Sequence, residues 1–445
     1  MSHLQAKDAK MRIAIIGTGI AGSLVSRILS NQHEVTVFEA SHYAGGHANT
    51  VDVEMAGVNY PVDTGFMVFN RKTYPNFRRL LELLEIDCQP SDMSFSVRCD
   101  RTGVEYQGSS LNGIFAQRKN LLRPSFLRML YDIVRFNRAG TKAARNADLP
   151  DGQRVEDFLR VCGVGQAFLC QYLVPMASAI WSSTPQSILD FPARFMIGFF
   201  ANHGLMQIHD RPQWRTIKGG SRQYVHALLG PIADRVRLNS RVDSVIRTQE
   251  GVTVKPLGGQ AEFFDQVVFA THSDQTLRML AHPTEAEQQV LGSIPYHAST
   301  AVLHTDTRML PRSTRAWASW NYRISDTGHR NAFVTYDLSR LQNHDTPTPI
   351  LLTLNASETI AHESIIRRFD YQHPAYSVSA IAAQRRLGEI SGKNRTHFCG
   401  AYWGYGFHED GVNSALAVAK NFGLNLESCI AASTKERSAT AAMSL

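Results

Sequence analysis

The sequence predicts an α/β protein whose parallel sheet is interrupted by an inserted α+β region, and three observations predict it. Arg12–Ile16 and Val267–Thr271 are short continuous apolar runs, the pattern of parallel strands buried on both faces. Gly17, Gly19 and Gly22 follow the first run directly and lead through a helix to a second strand, Glu34–Phe38. From about the stretch Ser94–Gln107 this strand–helix rhythm lapses, and it returns only at Val267 and again near Gly400.

The glycines stand at G-x-G-x-x-G spacing after a strand, the fingerprint of a Rossmann-like FAD/NAD(P)-binding domain. Gly17 permits the turn, Gly19 the close approach of a pyrophosphate, and Gly22 the packing of helix on strand. The helix begins at Ile20 and Ala21 and points free N–H groups at the phosphates. Glu39 ends the second strand, where a carboxylate accepts ribose hydroxyls and disfavours a 2′-phosphate. Gly45-Gly46-His47 and Asn49 follow, a loop read as lying near the phosphates or as a plain surface turn. The strand through Val62 ends in a turn at Thr64-Gly65, which joins the candidates for cofactor binding.

The next helix presents Phe77, Leu80, Leu81 and Leu84 on one face, and Ser94–Cys99 with Val104–Gln107 reads as a hairpin. Cys170–Met206 is rich in bulky apolar residues, among them Trp181 and Phe199, and reads as core or as the wall of an apolar cavity. Trp320 recurs among later strands with the same two readings. The domain plan is discontinuous: 11–76, 214–292 and 393–430 form the dinucleotide domain, 77–213 and 293–392 the substrate domain. Residues 1–10 and 433–445 read as disordered tails.

The 445 residues carry a net charge of +7, with 43% hydrophobic and 19% charged residues, as in ordinary globular proteins. Leu111–Arg145 alone holds eight basic residues and one acid, Asp132, so the remainder of the chain is neutral. From Pro124 to Arg145 the helical period gathers Arg128, Arg135, Arg138, Lys142 and Arg145 on one arc, opposite Phe126, Met129, Ile133 and Phe136. Such a helix either docks on an anionic membrane surface or packs on the core with a solvated basic face. Six cysteines without zinc or redox spacing read as reduced thiols of a cytoplasmic protein. Seventeen histidines form no metal motif, no run approaches a membrane span, and nothing points to nucleic acid.

The chain closes on Phe398-Cys399-Gly400, an aromatic loop through Tyr402, Tyr405 and His408, and a helix from about Asp410-Gly411. That loop lies between a strand end and a helix, where reacting groups belong, so Tyr405 and His408 are candidate catalytic residues and Tyr402 a substrate contact. His408 would exchange the proton near neutral pH.

Together the Gly17–Glu39–Gly46 stretch, Ser240-Arg241-Val242…Val267–Ala270 and Phe398–Ala415 resemble the flavin-containing amine oxidase and phytoene desaturase superfamily. The resemblance implies an amine-oxidase-like two-domain flavoprotein with non-covalent FAD. It implies Val242 at the adenine and Gly400 and Val412 at the isoalloxazine half, beside Gly411 at the helix N-terminus, which would suit an electron-rich flavin edge. The chain departs from that pattern at His47, where arginine is usual, and at Ala401, where an acid is usual. Pro212–Arg222 and Gly406–Gly411 resemble most a bacterial subgroup of NAD/FAD-binding proteins associated with cyclopropane-fatty-acid-synthase-like methyltransferases. That likeness implies desaturation of a methyl-branched acyl chain of a phospholipid, on the inner membrane face. The alternatives are a flavin amine oxidase and a flavin-bound, non-catalytic partner of a lipid methyltransferase.

Overall fold

The computed structural model describes residues 10–430 apart from 147, 182–184, 208–209, 327 and 357–358. The two expected tails, save Lys10, lie outside the described residues. A five-stranded parallel sheet runs in the order Val236–Arg237, Glu34–Phe38, Arg12–Ile16, Gln266–Phe269, Thr396–Phe398. Its central strand is buried on both faces. Ile13 and Ile15 pack with the helices Ile20–Leu29 and His408–Asn421, while Ala14 and Ile16 pack on a three-stranded sheet of Val242–Arg247, Val252–Pro256 and Glu262–Phe264. This two-sided burial is why the strand reads as an unbroken apolar run.

The inserted segments build a seven-stranded sheet in the order Ile365–Pro374, Tyr296–His304, Leu351–Leu354, Gly328–Asp337, Trp320–Ser325, Phe95–Cys99, Val104–Gln107. The predicted hairpin forms its edge. Phe95–Cys99 pairs in parallel with Trp320–Ser325, and this pair stitches the two inserted segments into one sheet. Helices Pro124–Asn146, Val155–Cys162, Val174–Trp181 and Ala193–Asn202 share its core.

The boundary expected between residues 76 and 77 cuts a helix. Pro75–Leu83 buries Phe77, Leu80 and Leu81 in the core of the dinucleotide domain, with Leu84 partly buried beside them. Trp214–Ile217 then pairs with both Phe69–Asn70 and Cys88–Pro90, so the first domain runs past residue 77. Proximity in sequence to the insert hid this, because an amphipathic helix does not say which core it serves.

The basic helix Pro124–Asn146 buries Phe126, Met129 and Phe136, and leaves Arg128, Arg135, Arg138, Lys142 and Arg145 exposed. Asp132 is on the buried side, accepting from Arg128 Nε at 2.9 Å and from the Gly165 N–H at 2.9 Å. Leu111, Leu122 and Tyr131 of the same basic stretch are 75%, 87% and 62% exposed.

Candidate active site

The first strand ends at Gly17, whose φ of +100° and tight fit against the Ala270 carbonyl, 2.8 Å from where a Cβ would stand, leave room for glycine alone. Gly22 rests on the Gly17 carbonyl, which a Cβ would overlap. Gly19 differs from both: nothing lies within 4 Å of its missing Cβ, so the space in front of it is open. Gly19 also caps helix Ile20–Leu29 with no side-chain hydrogen bond, leaving the first-turn N–H groups for a ligand. The Glu39 carboxylate stands opposite, held by the Thr18 N–H at 2.9 Å, the Thr18 hydroxyl and the Ser41 N–H at 2.9 Å.

The glycine pair folds back onto this turn. Gly45 donates its N–H to Thr18 Oγ1 at 3.1 Å, and Gly46, at φ +59°, puts its missing Cβ 3.3 Å from Gly19 Cα. The alternative of a plain surface turn therefore falls. His47 follows, stacked on Tyr371 at 4.9 Å and beside His373 at 5.3 Å. Its Nε2 is buried without a partner among the described residues, and burial holds the imidazole neutral. An uncapped helix terminus, an open glycine, a poised carboxylate and an orphaned imidazole nitrogen fit the phosphates and ribose of FAD.

At the far edge of the sheet Gly400 donates its N–H to Ser414 Oγ at 2.9 Å, and a Cβ on it would meet the Tyr402 ring. The following loop faces a single cavity of about 990 Å³ that runs from Gly17 and Glu39 to Trp181 and Trp320. Gly17, Gly19, Ile20, Ala21, Glu39, Gly45, Gly46, His47, Thr64, Gly65, Val242 and Gly400 line it, as do Trp181, Phe199, Trp320, Tyr402, Tyr405 and His408.

Four expected cofactor contacts do not line it. Gly22 and Gly411 are packing positions, the latter against the Ile20 side chain. Val412, within the helix His408–Asn421, is wholly buried in the core that this helix shares with Ile20–Leu29. Asn49 spends its amide on Thr64 Oγ1 at 3.1 Å and Tyr371 Oη at 3.0 Å. The expectation that His408 exchanges a proton near neutral pH is also corrected. Its ring stacks on Phe66 with centroids 3.5 Å apart, Nε2 is 2.8 Å from Tyr224 Oη, and burial brings its pKa down to about 3. It is a neutral brace for the loop.

The sequence reading missed Thr271 and His272, which follow the carboxyl end of Gln266–Phe269, and the Tyr371-Gln372-His373 run, all of which line the cavity. The first pair had a signal, since ligands bind beyond the carboxyl ends of parallel strands. The second comes from an edge strand of the other sheet and had none. The subgroup-like Gly219-Gly220-Ser221 also acquires a role: the Ser221 N–H and hydroxyl donate to Asp63 Oδ1 at 2.8 and 2.7 Å, tying this turn to the end of the strand Val58–Asp63.

In character the cavity divides in two. Around the glycines it is polar. Around Met93, Met176, Ile180, Trp181, Phe199 and Leu354 it is apolar, and among the described residues the only lining carboxylates, Glu39 and Asp243, belong to the polar end. Trp181 packs on Phe199 at 4.8 Å, Phe199 on Phe407 at 5.1 Å, and Tyr405 on Phe195 at 4.8 Å, so an aromatic wall separates the polar loop from the apolar end.

Comparison with known proteins places this geometry. The model of the family described as flavin containing amine oxidoreductase matches residues 26–421. A protein of Mycobacterium tuberculosis named as a flavin-containing monoamine oxidase is 27% identical over 258 residues, 56% of this chain and 54% of its own length. The chain thus spans about half the length of the curated relatives it matches first. Among solved structures, the fatty acid isomerase of P. acnes superposes with a TM-score of 0.64 at 13% identity, over 93% of this chain and 98% of that one. Cyclohexylamine oxidase from Brevibacterium oxydans does so with a TM-score of 0.62 at 16% identity, over 93% and 99%. At these identities the likeness is one of fold: a two-domain α/β flavoprotein.

Proposed function

The chain belongs to the family of flavin-containing amine oxidoreductases, and from that premise we propose that it is an FAD-dependent dehydrogenase of an apolar acyl chain. Bound FAD supplies the two-electron acceptor. The observation that carries the reading is the apolar end of the cavity, which offers a hydrocarbon a continuous aromatic and aliphatic wall and, among the described residues, no carboxylate for an ammonium group. Gly17, Gly19 and the first turn at Ile20 and Ala21 would hold the pyrophosphate, Glu39 the ribose, and Gly400 with Tyr402 the ring end.

The chain's own groups then do three things. The apolar wall desolvates the substrate and keeps water from the reacting carbon. Ring faces of Trp181, Phe199 and Tyr405 would stabilise positive charge as it grows on a branched carbon giving up hydride to bound FAD, and the proton of the neighbouring carbon would leave to a neutral imidazole of the cavity. The cavity histidines His203, His373 and His408, all held neutral by burial, add no competing cation at pH 7.

The most specific form of the proposal is a methyl-branched chain on a phospholipid, reached at an anionic membrane surface. The exposed arginines of Pro124–Asn146 support docking, each basic side chain near such a surface being worth about 1 kcal/mol. The exposed Leu111, Leu122 and Tyr131 add apolar anchors to that charge. No described helix is long and apolar enough to cross a membrane. Turnover of a simple amine is the second reading, favoured by the Mycobacterium tuberculosis relative. A lipid methyltransferase partner without turnover would need the flavin to stay oxidised.

The test is anaerobic bleaching of the flavin. Extracted branched-chain phospholipid should bleach it and yield a desaturated acyl chain by mass spectrometry. Bleaching by simple amines alone would replace this reading with the second, and bleaching by neither would leave the non-catalytic partner.

A further inference from the structure

Among the described residues, the apolar end of the cavity contains a single guanidinium. Arg211 lines the cavity with Tyr172 and Leu205, and its Nε donates to the Gln207 carbonyl at 2.8 Å. Neither Nη atom has a partner among the described residues, and no described carboxylate pairs with it. A guanidinium anchored through Nε and free at both Nη atoms presents the fork that matches a carboxylate or phosphate.

Its position is that of a rim. Tyr172 lies within a π-helical turn, Leu169–Leu173, a distortion that often marks functional sites. The same turn carries Gln171, whose carbonyl accepts the Tyr106 hydroxyl at 2.6 Å. The strand of Tyr106 continues to Gly108 and Ser109, which line the cavity and are exposed to solvent. Arg211, Tyr172 and Gly108–Ser109 thus frame an opening, and the exposed Leu111 lies two residues beyond it.

We propose that Arg211 binds the anionic head group, carboxylate or phosphate, of an amphiphile whose hydrocarbon tail fills the apolar end of the cavity. The proposal rests on the acyl-chain reading above and narrows the substrate class to anionic amphiphiles. A charged head is disfavoured further in, because the apolar walls beyond the rim offer it no second cation among the described residues. The tail therefore enters first, and the carbons brought to the aromatic wall of Phe199 and Tyr405 are remote from the head. No desaturation next to the head group is expected.

The experiment titrates FAD-loaded protein with oleate, oleoyl lysophosphatidate and oleyl alcohol, following the perturbation of the flavin absorption band. The wild type should bind at least one of the two anions about tenfold tighter than the alcohol, the gain of one charge-assisted pair. Arg211→Gln should erase that preference and leave the affinity for the alcohol unchanged, while Arg211→Lys should restore part of it. A preference for only one anion identifies the head group as carboxylate or phosphate. An anion preference that survives Arg211→Gln, or its absence in the wild type, overturns the proposal and leaves the acyl-chain reading standing. If none of the three perturbs the flavin band, the acyl-chain reading fails, and this inference with it.

Discussion

The two ends of the cavity are built by different means. At the polar end recognition is by backbone: a strand end, open space at Gly19, an uncapped helix, and a second glycine pair folded against the first. At the apolar end it is by side chains drawn from separate helices and strands, with Trp181, Trp320, Phe199 and Leu354 far apart in sequence. Backbone recognition needs particular residues at fixed spacing, whereas a hydrocarbon wall needs only bulk, which many residues supply. The first kind of site writes a motif and the second does not.

The largest expected effects set two glycines of one motif against each other. Gly22→Val drives a side chain into the Gly17 carbonyl and should leave no folded protein in the soluble fraction. Gly19→Val fills only open space, so the protein should fold, with the circular dichroism of the wild type, yet purify colourless. A yellow Gly19→Val protein would break the assignment of the polar end.

Acid should attack both ends together. Burial holds His203, His304, His373 and His397 at about 4 and His408 at about 3. The native state refuses protons that the unfolded chain accepts below its ordinary value of about 6.5, so this contribution is present above that pH and is lost toward 4. Asp63 and Asp410, raised to about 6 by burial, act in the opposite sense and gain as pH falls from 6, as do Asp337 and Glu409, but burial also lowers His33, His47, His272 and His344, so the imidazoles outnumber them. Stability should fall by about 1.4 kcal/mol per pH unit for each net proton between pH 6.5 and 4. A Tm that holds or rises over that interval would contradict the dry setting of these imidazoles.

Trp181→Ala sharpens the comparison from the other side. It should cost about 3 kcal/mol in urea unfolding and weaken hydrocarbon binding while FAD content stays full. Loss of FAD would mean the two ends are not separable. The smallest effect belongs to His408→Gln, which should lower stability by about 1 kcal/mol through the bond to Tyr224 and leave the rate of flavin reduction within about threefold. A fall of a hundredfold would return His408 to the chemistry.

Much of the dinucleotide domain was legible because each device is local. The strand Arg12–Ile16, the helix from Ile20 and the strand Glu34–Phe38 all lie where the sequence puts them, and in the insert so does the hairpin at Phe95–Gln107. What failed was knowledge of surroundings. His408 looks like a proton carrier until Phe66 and Tyr224 enclose it, and Pro75–Leu83 looks like the first helix of the insert until its face is found in the other core. Tyr371 and His373 could not be found at all, since a 10-residue edge strand carries no mark of the loop it will cover.

The outer strand of the parallel sheet, Thr396–Phe398, is separated from Glu34–Phe38 by roughly 360 residues of chain, or about 20 to 70 s of synthesis at ~5–20 residues per second. Once Val267–Phe269 is made, about two thirds of the way through that interval, the nascent dinucleotide fold has an unpaired edge along it, and throughout it lacks the helix His408–Asn421 that packs with Ile20 and Leu24. A growing polypeptide in this state exposes the kind of surface that chaperones hold. Acquisition of the yellow colour is therefore a late event in the life of the molecule. Overexpression that outruns flavin supply should accumulate a completed but empty polypeptide rather than a half-folded one.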